Sequence, residues 1–287
     1  MKNGQAYLVL SLLVLLIIFL PKNHTSKNKE AVLHIVPEGT FILVLSPHLD
    51  DAALSLGGFL FENKGKVNVE TFFIKSNGSK MRTFWDRISG FKDSNESVEM
   101  RTKENIEALQ LSSTTITDFT LDDAQYRVNA DYPKIINEIV FDVELQISKH
   151  EDKNIFIYGP ADFGHGLTNP DHLLLHRAFL QMAEKYRDNK NISFFIYEDF
   201  PYIKKFLVSG RGDLLEFLQA ESNRKLSEEV IDLTTQSLNS KIEALGKYSS
   251  QLKAFGALGE DLINESKTFT QNRSEFGPSE VVYRVNP

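Results

Sequence analysis

Two short stretches hold the residues best suited to chemistry. The first is Ser46-Pro47-His48-Leu49-Asp50-Asp51, which directly follows the apolar run Phe41-Ile42-Leu43-Val44-Leu45. Adjacent carboxylates repel each other, and holding both in a cleft is unfavourable unless a cation or donor offsets the charge. Neighbouring side chains point in different directions, so Asp50 and Asp51 are expected to divide the work, one binding metal and the other handling protons. Ala52-Ala53-Leu54 then begins a helix, which makes a plain helix cap the competing explanation for an Asp here. A cap accounts for one carboxylate. It leaves the second, and His48, unexplained.

The second stretch is Gly164-His165-Gly166-Leu167-Thr168-Asn169-Pro170-Asp171-His172, leading into a helix over Leu173–Tyr186. His172 and His176 are four apart on one helical face, the spacing of a two-histidine metal pair. The glutamate that follows the first histidine of a metalloprotease helix is missing, and His176 reads as a packing residue. His34 and His150 lie outside both stretches and read as structural. Together the stretches supply His48, Asp51 and His172, two imidazoles and one carboxylate. Such a set leaves positions open for water and substrate, as catalytic zinc sites require. The same set suits Fe2+ in an oxygenase, so coordination by itself does not name the reaction.

The chain has no cysteine, which removes disulfides, thiol nucleophiles and thiolate zinc sites. Any metal must be held by imidazole and carboxylate. A net charge of -7 over 287 residues gives no support to nucleic acid as a partner.

The elements that position these residues read as alternating strands and helices. Strand patterns occupy Phe41–Leu45, Val67–Ile74, Thr115–Phe119, Ile155–Tyr158 and Ile192–Tyr197, with a closing strand at Val281–Val285. Helical patterns cover Ala52–Lys64, Val98–Leu109 with Arg101 and Glu104 facing outward, and the stripe Ile136, Ile139, Val140, Val143, Ile147. Further helices are expected over Asp213–Leu226 and Ser240–Phe255. The alternation predicts an α/β fold, a Rossmann-like, mostly parallel sheet with helices on both faces. In such sheets ligands bind outside the carboxyl ends of the strands, where both stretches fall. Residues 76–96 are polar, hold Trp85 beside Phe84, and read as a lid or a surface excursion.

The N-terminus differs. Ala6–Leu20 is almost wholly apolar and ends at Pro21. It is shorter than the roughly 20 residues that span a membrane comfortably and at the upper end of a secretory apolar region of about 7–15. Residues 1–21 are therefore expected to be a signal anchor or a signal peptide, leaving the protein membrane-anchored through residues 6–20 or exported. Residues 22–35 read as a linker and 36–287 as the catalytic body.

The motifs resemble those of the PIG-L / LmbE-like N-deacetylases. The family carries Pro-His-x-Asp-Asp after its first strand, here Pro47–Asp51, and x-x-Asp-His near the middle, here Asn169–His172. Arg101-x-x-Glu104, Tyr197–Tyr202 and Lys247–Gln251 look like lesser family features. The resemblance implies a zinc site with His48, Asp51 and His172 as ligands, Asp50 as general base, and Asp171 orienting a ligand imidazole. It departs at Ala52, where the family often has Glu, and at Asn169, where it often has a His that assists the oxyanion or leaving group. An asparagine donates a hydrogen bond but carries no proton. Asn169 then serves the oxyanion alone, or His165 takes the acid role, or Asp50 performs both transfers; the last is the reading adopted. The activity implied is removal of an N-acetyl group from an amino-sugar in a glycan, glycolipid or small metabolite. An amide hydrolase for another acyl-amine, and a degenerate carbohydrate-binding protein, are the alternatives.

Overall fold

Runs of consecutive apolar residues become the inner strands of an eight-stranded sheet. The structure, a computed structural model, describes residues 32–78, 80–164, 168–275 and 277–287. Its strands are β1 (Val32–Leu33), β2 (Phe41–Ser46), β3 (Val67–Lys75), β4 (Thr115–Asp122), β5 (Ile155–Pro160), β6 (Ile192–Tyr197), β7 (Leu226–Asp232) and β8 (Ser279–Val285). The helices of the first half are α1 (Asp51–Glu62), α2 (Phe84–Ser89), α3 (Ser94–Leu109), α4 (Tyr132–Ser148) and α5 (Pro170–Lys185). Those of the second half are α6 (Tyr202–Val208), α7 (Leu214–Ser222), α8 (Thr235–Leu245), α9 (Ser249–Ala257) and α10 (Leu262–Gln271). The apolar segment 6–20 and His165 lie outside the described residues. Among the described residues no helix is long and apolar enough to cross a membrane.

The sheet order is β1-β7-β8-β6-β5-β2-β3-β4. Pairing is parallel from β4 through β3, β2 and β5 to β6, while β8 runs antiparallel to β6 and β7. The protein is mixed α/β with a mostly parallel sheet. Ile42, Leu43, Val44 and Leu45 are each 0% exposed. Successive strand residues face opposite sides, so both faces of β2 are covered. From β2 the chain moves outward to β3 and β4, then returns to lay β5 on the other side of β2. The crevice at that reversal is where such sheets bind ligands. It is bounded by the turn after Ser46 and by the connection from Pro160 to α5.

Several elements differ from the sequence expectation. β7 is new, because Glu228 and Glu229 interrupt its apolar pattern; Glu229 is nonetheless buried, bound by His34 at 2.7 Å and by Arg284 at 2.5 Å. Val32–Leu33, within the span read as a linker, pair with β7. The helix expected over Ser240–Phe255 is two helices, α8 and α9, because the chain turns at Gly246–Tyr248 to bury the Tyr248 ring. Residues 76–96 are largely ordered: a Thr83/Asp86 capping box starts α2, and Asp93 caps α3. His150 stacks on Phe41 with centroids 3.6 Å apart, a packing role. Arg101 and Glu104 face inward, because each has buried partners: Arg101 meets Asp50 and Asp123, and Glu104 accepts from Ser249 and Ser250.

α1 is notched. Leu56 leaves helical geometry (φ -124, ψ 19), which frees the amides of Gly58 and Phe59 to donate to Glu280 of β8 at 3.0 and 2.8 Å. Lys241 of α8 completes the cluster, its Nζ 2.8 Å from Glu280 Oε1. A Cβ on Gly58 would stand 2.4 Å from Leu233, so the close approach needs glycine.

Glu70 on β3 is fully buried against α4, with Gln146 donating to its carboxyl at 3.4 Å. Burial, reinforced by Asp142, raises its pKa from the usual 4.5 to about 9. The folded protein thus keeps this proton where the unfolded chain loses it, so the group's contribution to stability is intact below pH 4.5 and is lost progressively towards pH 9. Glu70→Gln supplies the neutral form permanently. It is expected to raise stability by about 1–3 kcal/mol at pH 8, a gain that shrinks towards pH 5. Thermal melts of both proteins across that range check the prediction.

Candidate metal centre

Ser46 ends β2 and organises the turn that follows. Its Oγ donates to His48 O at 2.6 Å and accepts from Ala52 N at 3.1 Å. Phe73 N holds Pro47 O at 2.9 Å, and Tyr197 Oη holds Leu45 O at 2.9 Å. Tyr248 Oη lies 3.2 Å from Leu49 O and 3.0 Å from Asn105 Oδ1, while Asn105 Nδ2 has no partner. A phenol has one proton. With the Asn105 amide turned over, Nδ2 donates to Tyr248 and Tyr248 donates to Leu49, which satisfies all three groups.

This turn and the start of α5 bring three atoms together. His48 Nδ1 and His172 Nε2 are 3.2 Å apart. Asp51 Oδ2 is 3.3 Å from the first and 3.2 Å from the second. All three residues are buried. For ligand bonds of about 2.1 Å, octahedral and tetrahedral sites have ligand–ligand edges of about 3.0 and 3.4 Å respectively. The observed triangle falls between them, so the set fits a divalent cation.

The far nitrogen of each imidazole is also committed. His48 Nε2 donates to Asp171 Oδ2 at 3.1 Å, and His172 Nδ1 donates to Asp199 Oδ2 at 2.5 Å. These bonds commit the far nitrogens and turn His48 Nδ1 and His172 Nε2 towards Asp51 Oδ2, the usual support of histidine metal ligands. Asp171 is held in turn by Ala124 N at 2.8 Å and by Arg127. A second acidic group, His48 with Asp123 and Asp171, uses this same Nε2 and belongs to the support. Asp199→Asn is expected to weaken metal affinity about 10–100-fold, measurable by competition with a chromophoric chelator; unchanged affinity would remove Asp199 from the support.

The site carries an excess of buried carboxylates over guanidiniums. Five buried carboxylates, Asp50, Asp51, Asp123, Asp171 and Asp199, face two guanidiniums, Arg101 and Arg127. Burial opposes charge on His172, but Asp199 and Asp51 outweigh it and raise its pKa to about 10. His48 is raised for the same reason, Asp171 and Asp51 prevailing over burial. Burial also works against the charge on Asp51, yet the two imidazoles hold its carboxyl well below the usual range. Burial and Asp51 together lift Asp199 to about 6. Positive charge is held at the triangle, and a metal ion binding there displaces protons.

Asp50 stands at the N-cap of α1 but makes no capping bond, so the cap explanation fails for it. Arg101 Nη2 lies 3.7 Å from its carboxyl, and burial with the Asp51 charge raises its pKa. Asn169 does cap α5, its Oδ1 accepting from Asp171 N at 2.9 Å. The Tyr202 ring packs edge-on against His172 with centroids 4.6 Å apart. His176 points elsewhere, to Pro160 O at 2.7 Å and Glu221 at 2.8 Å, and takes the packing role expected of it. Sequence reasoning passed over Asp123 and Arg127, and it marked Tyr197–Tyr202 as a lesser family feature without giving Asp199 or Tyr202 a part in the site. The loops after β4 and β6, among those expected to face the ligand, hold all but Tyr202, which opens the next helix.

No family model matches the chain, and neither does any curated protein. Solved structures do. The zinc-inhibited form of a teicoplanin deacetylase is 22% identical, covering 85% of this chain and 97% of that one at a TM-score of 0.68. An A40926 pseudoaglycone deacetylase is 25% identical, covering 86% and 98% at a TM-score of 0.69. An N,N'-diacetylchitobiose deacetylase from Pyrococcus horikoshii is 14% identical, covering 86% and 83% at a TM-score of 0.55. The chain has the LmbE / PIG-L-like deacetylase fold.

Proposed function

We propose that the protein is a metal-dependent N-deacetylase that hydrolyses the acetamide of an N-acetylated amino-sugar. The observation that carries this reading is the triangle of His48, Asp51 and His172, each imidazole backed by a carboxylate, at the strand reversal of a deacetylase fold. A divalent cation held by these three residues supplies Lewis acidity, lowering the pKa of water and polarising a carbonyl. Zinc is the first candidate and Fe2+ the second. One neighbour has a zinc-inhibited form, so metal content must be measured alongside activity.

Asp50 does the proton work. It is buried, free of a capping bond and next to a ligand carboxylate. It takes the proton of the attacking water and returns it to the departing amine. Arg101, between Asp50 and Asp123, fixes its orientation. The Asn169 amide, its oxygen engaged at the helix cap, has N–H left to donate to the acyl oxygen. Products are acetate and a free amine.

The decisive experiment measures acetate release from a panel of N-acetylated sugars together with metal content. Chelation is expected to abolish release and a divalent metal to restore it. Full activity in metal-free protein would overturn the reading.

A further inference from the structure

The polar stretch that holds Trp85 lies between β3 and α3, and one buried pair ties it to the turn after β4. Asp86 of α2 is 0% exposed and Tyr126 1% exposed. Tyr126 Oη donates to Asp86 Oδ1 at 2.6 Å, and Asp86 Oδ2 accepts from Thr83 N at 2.7 Å inside the capping box. A buried carboxylate is unfavourable unless its oxygens are bonded, and the phenol satisfies one of them. Burial, reinforced by Asp86, pushes the phenol above its usual range, so it stays protonated and donates. Two more bonds run beside this one. Asn77 Nδ2 donates to Tyr126 O at 2.6 Å, and Thr83 Oγ1 lies 2.8 Å from Gln125 Oε1. Trp85 fixes α2 from behind: its Nε1 donates to Gln251 Oε1 at 3.1 Å and its ring packs edge-on against Phe255.

Tyr126 sits in a turn that ends on the metal support. The amides of Tyr126 and Arg127 both donate to Asp123 O, at 2.8 and 3.1 Å, and Gln125 N donates to Asp123 Oδ1 at 3.0 Å. These internal bonds make residues 123–127 a unit. The unit presents two donors to Asp171: Ala124 N at 2.8 Å from Oδ2, and the Arg127 guanidinium on Oδ1. Asp171 Oδ2 in turn holds His48 Nε2. Asp123 of the same turn holds Arg101, the cation set against Asp50. Tyr126 stands between Ala124 and Arg127 in sequence, so a shift of its ring or carbonyl moves both donors.

We propose that Asp86 and Tyr126 are a positioning pair for the metal centre: their hydrogen bond pins the 123–127 turn against α2 and, through Asp171, fixes the orientation of the His48 imidazole. The proposal rests on the metal-dependent deacetylase reading, and its test separates the two. Zn2+ affinity of the full-length protein is measured by competition with a chromophoric chelator. The visible spectrum of the Co2+-loaded protein reports ligand geometry. Tyr126→Phe keeps the ring and removes only the hydroxyl. It is expected to weaken Zn2+ binding about three- to tenfold, less than the roughly 10–100-fold for loss of a direct partner of a ligand, and to shift the Co2+ bands. Asp86→Ala should do the same, and the double variant should lose no more than either single one, because both remove one bond. Leu218→Ala is the control. It opens a cavity beneath α7, which packs on β7, so it lowers the melting temperature without touching the turn. Its Zn2+ affinity and Co2+ spectrum are expected to match the wild type. Unchanged affinity and spectrum in Tyr126→Phe, equal losses in Leu218→Ala, or additive losses in the double variant overturn the pair; wild-type acetate release would still leave the deacetylase reading standing. Zn2+ binding that follows Tyr126 in a protein that releases no acetate from N-acetylated sugars keeps the pair and overturns the deacetylase reading.

Discussion

Replacing His172 with alanine is expected to abolish metal retention and acetate release together. His172 holds one corner of the triangle, at 3.2 Å from both His48 Nδ1 and Asp51 Oδ2. Without it, one imidazole and one carboxylate remain, too few for a stable catalytic zinc site. Affinity should fall by more than the roughly 10–100-fold that follows loss of an orienting partner. The substitution also leaves Asp199 buried and unpaired, so some instability is expected. His172→Gln fills more of the space and separates the effects: it should fold and still lose most metal and activity. Metal analysis of gel-filtered protein is the check, and wild-type stoichiometry in either folded variant would remove His172 from the ligand set.

Asp50→Asn is expected to give the opposite pairing, metal kept and turnover lost. The introduced amide matches the carboxylate in shape but accepts no proton. The expected fall in kcat is about 10^2–10^4-fold, the usual range for removal of a general base, with KM changed far less. The opposite charge set against Asp50 is Arg101, 3.7 Å away. Loss of metal on this substitution would make Asp50 a ligand instead.

The parts of the site legible in the sequence are those whose chemistry is concentrated locally. His48, Asp50 and Asp51 crowd into one turn after an apolar run, and Asp171-His172 open a helix after another. The supporting acids have no histidine beside them in sequence. Asp199 follows β6 next to Glu198 and Asp123 follows β4 next to Asp122, and only the packing of parallel strands sets Asp199 on His172 and Asp123 near His48. Arg101 and Glu104 face the opposite way from the sequence expectation because charged residues on a helix default to solvent. Here burial is tolerated because each charge is answered by a named partner. The same reasoning explains β7, where an apolar-pattern reading cannot see that Glu229 is hydrogen-bonded by His34 and Arg284 across the sheet.

The notch at Leu56 has a mechanical corollary. Asp51 opens α1, and the far half of that helix hangs by two amides from Glu280, a residue 222 positions away from Gly58. The helix therefore cannot slide along its axis without tearing those bonds, and the carboxylate at its head is kept in step with the two imidazoles by the last strand of the sheet. Loss of the Glu280 bonds would free the helix that carries Asp51 to shift against His48 and His172.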